Sequence, residues 1–299
     1  MNVIFGRQFG AGPWGVVPAV LLIVACAMQP VQMKIEGVDP PLAAETILES
    51  ATGRTITFEQ LVDKLAQARV VYVGERHTSP RHHQIQLQVI QALVARLQKV
   101  SVGMEMFDHT YQRRLDRWST GQMQWDHFLQ QTHWYANWKF DANLYKDILI
   151  YIRDNNLPLV GLNIPFHLPS KIGVGGLESL REAERNYLPR RIDTTHAGHR
   201  AYLQKIFKLH KIKGRYEFEN FYAAQCAWEE GMAENISQHL RRNVMVVLAG
   251  NGHIIRKFGI PQRAHKRTGA SYLTLYLATP TMEVARGDGD FIWVAPHTS

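Results

Sequence analysis

The chain is poor in cysteine, poor in acids and without a long apolar run. Two cysteines in 299 residues exclude a disulfide framework, a four-cysteine zinc site and a CxxCH haem attachment. Asp and Glu number 26 against 34 Lys and Arg, a net charge of +8. That excess points to anionic partners such as phosphate, carboxylate or lipid headgroups. The most apolar stretch runs from Gly15 to Ala25 and is interrupted by Pro18, so it is too short to cross a bilayer. No HExxH, GxSxG or phosphate-loop pattern is present. Nor is any helix-turn-helix, RNP-like or KH-like signature, so nucleic acid is not an expected partner. What remains is a globular composition, 45% hydrophobic and 10% aromatic, with no internal repeat.

The first 25 residues read as a lipoprotein signal peptide. Arg7 is their only charge, and the apolar run ends in Ile23-Val-Ala-Cys26, a lipobox-like sequence. Cys26 is then the lipidated first residue of the mature chain, tied to the lipid bilayer. Ala27 in the next position favours the outer membrane over the inner, which places the protein in a bacterial cell envelope. Residues 26–49, with Pro30, Pro40 and Pro41, read as a tether. The second cysteine, Cys226, is expected to be a buried, inert thiol.

From residue 50 to 296, short apolar runs alternate with amphipathic stretches. This predicts an α/β fold: a mainly parallel central sheet flanked by helices, with a helical insertion over about 166–240. Strands are expected at 69–74, 100–107, 157–163, 244–249 and 271–277. Thr57 with Gln60 forms a capping box for the first helix. Ser79-Pro80 opens the next, whose apolar stripe turns His83 rather than His82 inward.

In open α/β sheets, ligands bind beyond the carboxyl ends of the strands. The residues met there are Glu75 and His77, Glu105, Asn163, and Asn251 with His253. Glu75 and His77, two apart on a strand, point to one side. Carboxylate with imidazole and no thiolate is a ligand set for Zn, Mn or Fe. His77, His83, Glu105 and His253 are therefore candidate metal ligands, with Glu75 as the base of a metal-dependent hydrolase; exchanging the roles of Glu75 and Glu105 is equally consistent.

Six ordered segments carry a family resemblance. They are Val71-Tyr-Val-Gly-Glu-Arg-His77 with His82-His83, Gly103-Met-Glu-Met-Phe107, Trp138-Lys-Phe-Asp141, Gly161-Leu-Asn-Ile-Pro165, Phe221-Tyr-Ala-Ala-Gln225 and Leu248-Ala-Gly-Asn-Gly-His253. Together they resemble the ChaN family of haem-binding uptake lipoproteins, within the Tiki and erythromycin-esterase-like superfamily. The resemblance implies a membrane-tethered protein that binds haem and serves haem and iron uptake. An outer-membrane haem receptor and a second copy of the chain are the further partners expected. Haem needs an apolar slot, an axial ligand and cations for its propionates. Tyr135, Tyr145, Tyr222 and His253 are the candidate ligands, Asn163 and Asn251 candidate contacts, and the Arg and Lys runs after residue 189 candidate propionate partners. The Tiki-like relatives supply the alternative, a metal-dependent protease or esterase on the same strand ends.

Overall fold

The structure, a computed structural model, describes residues 32–97, 99–209 and 217–296. The segment expected to be a signal peptide, with Cys26, lies outside the described residues.

The strands are β1 Gln32–Met33, β2 Leu42–Ala43, β3 Ile47–Glu49, β4 Arg54–Ile56, β5 Val70–Glu75, β6 Val100–Asp108, β7 Leu159–Asn163, β8 Val244–Gly250, β9 Tyr272–Ala278 and β10 Phe291–Val294. β1 and β2 form a small ribbon, and the others one sheet in the order β4-β3-β10-β9-β5-β8-β6-β7. The six strands from β10 to β7 run parallel, whereas β3 pairs antiparallel with both β4 and β10. The five strands expected from the sequence are all present, and they form the contiguous parallel block β9-β5-β8-β6-β7.

The helices are α1 Phe58–Leu65, α2 Pro80–Arg96, α3 Gln112–Ser119, α4 Trp125–Gln131, α5 Trp134–Asn137, α6 Lys146–Asp154, α7 His167–Gly175, α8 Glu182–Arg185, α9 Ala197–Leu209, α10 Phe218–His239, α11 Asn251–Ile254 and α12 Ile260–Thr268. Period-two alternation sorts each strand's side chains onto two layers. Val71, Val73, Val102 and Met104 join the core under α1, α2, α3, α4 and α6. Val70, Tyr72, Leu162 and Val247 face Met232, Ala233 and Ile236 of α10 and Ile260 of α12. The helical insertion thus builds one of the two layers. The Thr57–Gln60 capping box and the Ser79 cap with Pro80 at N1 both form.

Two expectations change. Residues 32–49 are no tether, because they supply β1, β2 and the sheet strand β3, with Met33, Ile35 and Leu48 fully buried. Their alternating apolar residues are separated by Pro40 and Pro41, which mask the strand period in the sequence. His82 is also as buried as His83. Its Nδ1 accepts the Arg76 N–H at 2.9 Å, so the strand-to-helix turn, rather than the helix stripe, takes it inward.

Candidate functional site

The parallel strands end at Glu75, Asp108, Asn163 and Gly250, and the turns after them bring the site together. Glu75, fully buried, is the hub of its first half. Its Oε1 lies 2.7 Å from His77 Nδ1 and accepts the Tyr145 hydroxyl at 2.5 Å. Its Oε2 accepts from Gln86 Nε2 at 2.8 Å and lies 3.5 Å from His83 Nε2. Burial raises a carboxyl, but the His77 and His83 imidazoles outweigh it and hold Glu75 far below the usual range. Burial also pushes the Tyr145 phenol far up, and the Glu75 charge adds to it.

The second half is a buried chain of alternating charge. Glu105 lies on β6, three residues short of its end, where the pairing with β7 is irregular. Glu105 Oε2 accepts the Gly250 N–H at 2.7 Å, and its Oε1 stands 3.4 Å from His253 Nε2. His253 Nδ1 stands 3.3 Å from Glu229 Oε1 on α10. Glu229 Oε2 then faces His199 of α9 at 3.3 Å and Arg263 of α12 at 3.4 Å. Burial alone would lower the His253 imidazole, yet carboxylates on both sides push it up to about 10. Burial likewise raises Glu229, but His199, His253 and Arg263 hold it down at about 2. His253 is therefore an imidazolium at neutral pH.

Glycines allow this packing. A Cβ on Gly250 would lie 2.9 Å from the His77 ring, and one on Gly74 would lie 2.0 Å from Asn251 Oδ1. Only bare backbone fits at either position.

Above this floor opens a cavity of about 920 Å³, in the upper part of the ~300–1,000 Å³ range of ligand pockets. Trp138, Phe140, Phe166 and Trp228 make its apolar walls, His77 and Glu105 its floor, and Tyr111 and Tyr187 further parts of its lining. Tyr187 is 43% exposed, and Tyr111 accepts a hydrogen bond from Asn137 Nδ2 at 3.1 Å.

The sequence candidates divide. His77 and Glu105 line the cavity, while Glu75, His83 and His253 support them from below. The metal centre does not assemble. Among the described residues no three His, Cys, Asp or Glu side chains converge to hold an ion. The reason is mutual neutralisation: the His77 ring pairs with Glu75, and both nitrogens of His253 face carboxylates. Asn163 and Asn251 are structural, donating to Glu105 O at 2.8 Å and Leu277 O at 2.7 Å. Tyr145 and Tyr222 are sealed, the Tyr222 hydroxyl against His196 O at 3.3 Å and its phenol pushed up by burial. Tyr135 is 59% exposed but does not line the cavity. Cys226 is the buried thiol expected, pushed up to about 12 by burial.

Sequence reasoning missed Tyr111, Tyr187, Asp108, His167, His199 and Glu229. Arg263 belonged to a run of cations expected to face solvent or propionates, but it is buried, donating to Glu230 and to Cys226 Sγ. One signal was there to use. Glu229-Glu230 interrupts the apolar face of α10, and adjacent acids inside a core helix require buried cations.

Known proteins place this arrangement. A family model described as haem-binding uptake, Tiki superfamily, ChaN, matches residues 61–264. A ChaN structure of Campylobacter jejuni, reported as binding haem cofacially, superposes with a TM-score of 0.69 at 20% identity, covering 83% of this chain and 95% of that one. An erythromycin esterase in an open conformation superposes at 0.47 with 14% identity, over 79% of this chain and 76% of that one. Protein RETICULATA-RELATED 5, chloroplastic, of Arabidopsis thaliana is 23% identical over 77% of this chain. The chain spans only about a third of that protein's length, 34%. With the fold shared and two thirds of its length matched by the family model, the chain belongs to the ChaN family of haem-binding uptake proteins in the Tiki superfamily.

Proposed function

We propose that the protein binds haem in the aromatic cavity and acts in haem and iron uptake, anchored to a bacterial envelope membrane through Cys26. The observation that carries the reading is the cavity itself: about 920 Å³, walled by Trp138, Phe140, Phe166 and Trp228, at the strand ends of a ChaN-family sheet. The residues present fit the group. The walls supply the apolar slot, and the lining tyrosines Tyr111 and Tyr187 supply phenolic oxygens of the kind that ligate ferric haem. At the floor, burial lowers the His77 imidazole, but Glu75 and Glu105 outweigh this and raise it. Haem, when bound, would supply a ferric iron, and Tyr111 or Tyr187 would hold it through a phenolic oxygen. The chain's own part is to exclude water, orient the macrocycle and balance its charge.

Support for the anchor is the lipobox-like Ile23-Val-Ala-Cys26, which makes an envelope lipoprotein the natural setting, with an outer-membrane receptor as partner. Titration of the purified protein with ferric haem should give a saturable Soret shift, and Tyr111→Phe with Tyr187→Phe should weaken it at least tenfold. An unchanged Soret band in the wild type would overturn the reading. Cells fed radiolabelled palmitate should label the wild type and not Cys26→Ser.

A further inference from the structure

We propose that the end of the sheet opposite the cavity is a docking surface for an anionic lipid bilayer. Arg69, Lys99, Arg241 and Arg242 form it, in the short turns that lead from α1, α2 and α10 into β5, β6 and β8.

The topology brings these turns together. β8 lies between β5 and β6, and adjacent strands stand about 4.8 Å apart. Lys99 O accepts the Val244 N–H and Arg69 O accepts the Met245 N–H, each at 3.0 Å. The Arg69 guanidinium donates to the Arg241 carbonyl, which ties two of the turns to each other. All four cations are exposed, and none forms an ion pair among the described residues. The segments outside the described residues contain no Asp or Glu to supply a partner.

The neighbouring cations have other roles. Lys64 and Arg96, in the last turns of α1 and α2, pair with Glu49 at 2.8 Å and with Asp63. A cation in a last helical turn also answers the negative end of the helix dipole, an effect that fades beyond that turn. Arg69, Lys99, Arg241 and Arg242 lie past the helix ends at Leu65, Arg96 and His239, so neither a carboxylate nor a dipole explains them. Like charges held together repel, and an anionic surface offsets that repulsion.

A bilayer suits these turns better than a nucleic acid does. They carry no aromatic side chain on which a base could stack, and the lipobox-like sequence ending at Cys26 supports a membrane setting. β8 is seven residues long, so docking here would hold the cavity floor about 20 Å from the lipid. The ligand site would then face away from the bilayer, within reach of another protein.

Cosedimentation with vesicles tests the surface, using the full chain with Cys26→Ser so that no acyl group contributes. The protein should bind phosphatidylcholine vesicles containing phosphatidylglycerol more tightly than phosphatidylcholine alone, and added salt should abolish the difference. Each cation removed by Lys99→Gln, Arg241→Gln or Arg242→Gln should weaken that binding about fivefold. Arg241→Lys with Arg242→Lys should bind like the parent. Lys34→Gln with Lys205→Gln removes two exposed cations that line a groove with Tyr276 instead, and should change little. Equal binding to both kinds of vesicle, or equal losses from Lys34→Gln with Lys205→Gln and from Arg241→Gln with Arg242→Gln, would overturn the surface. So would tighter binding to a DNA or RNA oligonucleotide than to the anionic vesicles. Palmitate labelling reads Cys26 and cosedimentation reads the turns, so the anchor and the surface can fail separately.

Discussion

At the residue scale the costly feature is Glu229. One carboxylate holds His253, His199 and Arg263, all nearly buried. Removing one partner from a buried ion cluster leaves the others uncompensated, at a cost of about 3–5 kcal/mol. Glu229→Gln should lower the free energy of urea unfolding by that amount at pH 7. The pH profile follows from the two shifts. His253 rises from 6.5 to about 10, so its contribution is complete below pH 6.5 and fades as pH climbs through 10. Glu229 falls from 4.5 to about 2, so its contribution is complete above pH 4.5 and fades on acidification through 2. Unfolding measured from pH 6 to 10 should show a decline that His253→Gln flattens. A wild-type curve level to pH 10 would contradict the assignment.

At the element scale, strand β7 lies at one end of the sheet, where bare backbone groups invite pairing with another chain. Helix α3 covers it with side chains that act as a substitute strand. Gln112 donates to Leu159 O at 2.8 Å and accepts the Gly161 N–H at 3.0 Å, while Ser119 Oγ accepts the Leu159 N–H at 3.1 Å. Gln112→Ala should cost about 1–3 kcal/mol by leaving both groups unpaired, and should speed amide exchange at Gly161 specifically. A uniform change in exchange would mean that the helix, not the glutamine, covers the strand. Gly161 itself admits no side chain, since its Cβ would meet Asp108 O at 2.8 Å. That tightness keeps the end of β6, and with it one side of the cavity, in place.

At the scale of the whole molecule, the N-terminal segment belongs to the fold. Ile47 and Leu48 are buried in β3, which bridges β4 and β10. A chain beginning at residue 50 should therefore melt well below one beginning at residue 27, or fail to accumulate. Equal melting temperatures would restore the tether reading.

The strands over 70–75, 100–108, 159–163, 244–250 and 272–278 were legible because each is an apolar run between turn signals, and parallel strands buried on both faces need little else. The strand at 291–294 and the β3–β4 hairpin were not legible, because strands of three or four residues carry too little pattern. Glu75, His77, Glu105 and His253 were legible as a group, because polar residues at strand ends converge whatever the details of the loops. Their roles were not. Whether a carboxylate and an imidazole hold a metal or neutralise each other depends on a few tenths of a nanometre that spacing along the chain does not encode. The amino-acid sequence by itself determined the sheet, its ligand-facing edge and the family, since these follow from periodicity and motif order. Only the tertiary structure decided that the charges pair inward and that Tyr145 and Tyr222 are sealed. Those outcomes depend on which side chains meet across Glu75–Tyr145, Glu229–His253 and Gly74–Asn251, contacts between residues far apart in the chain.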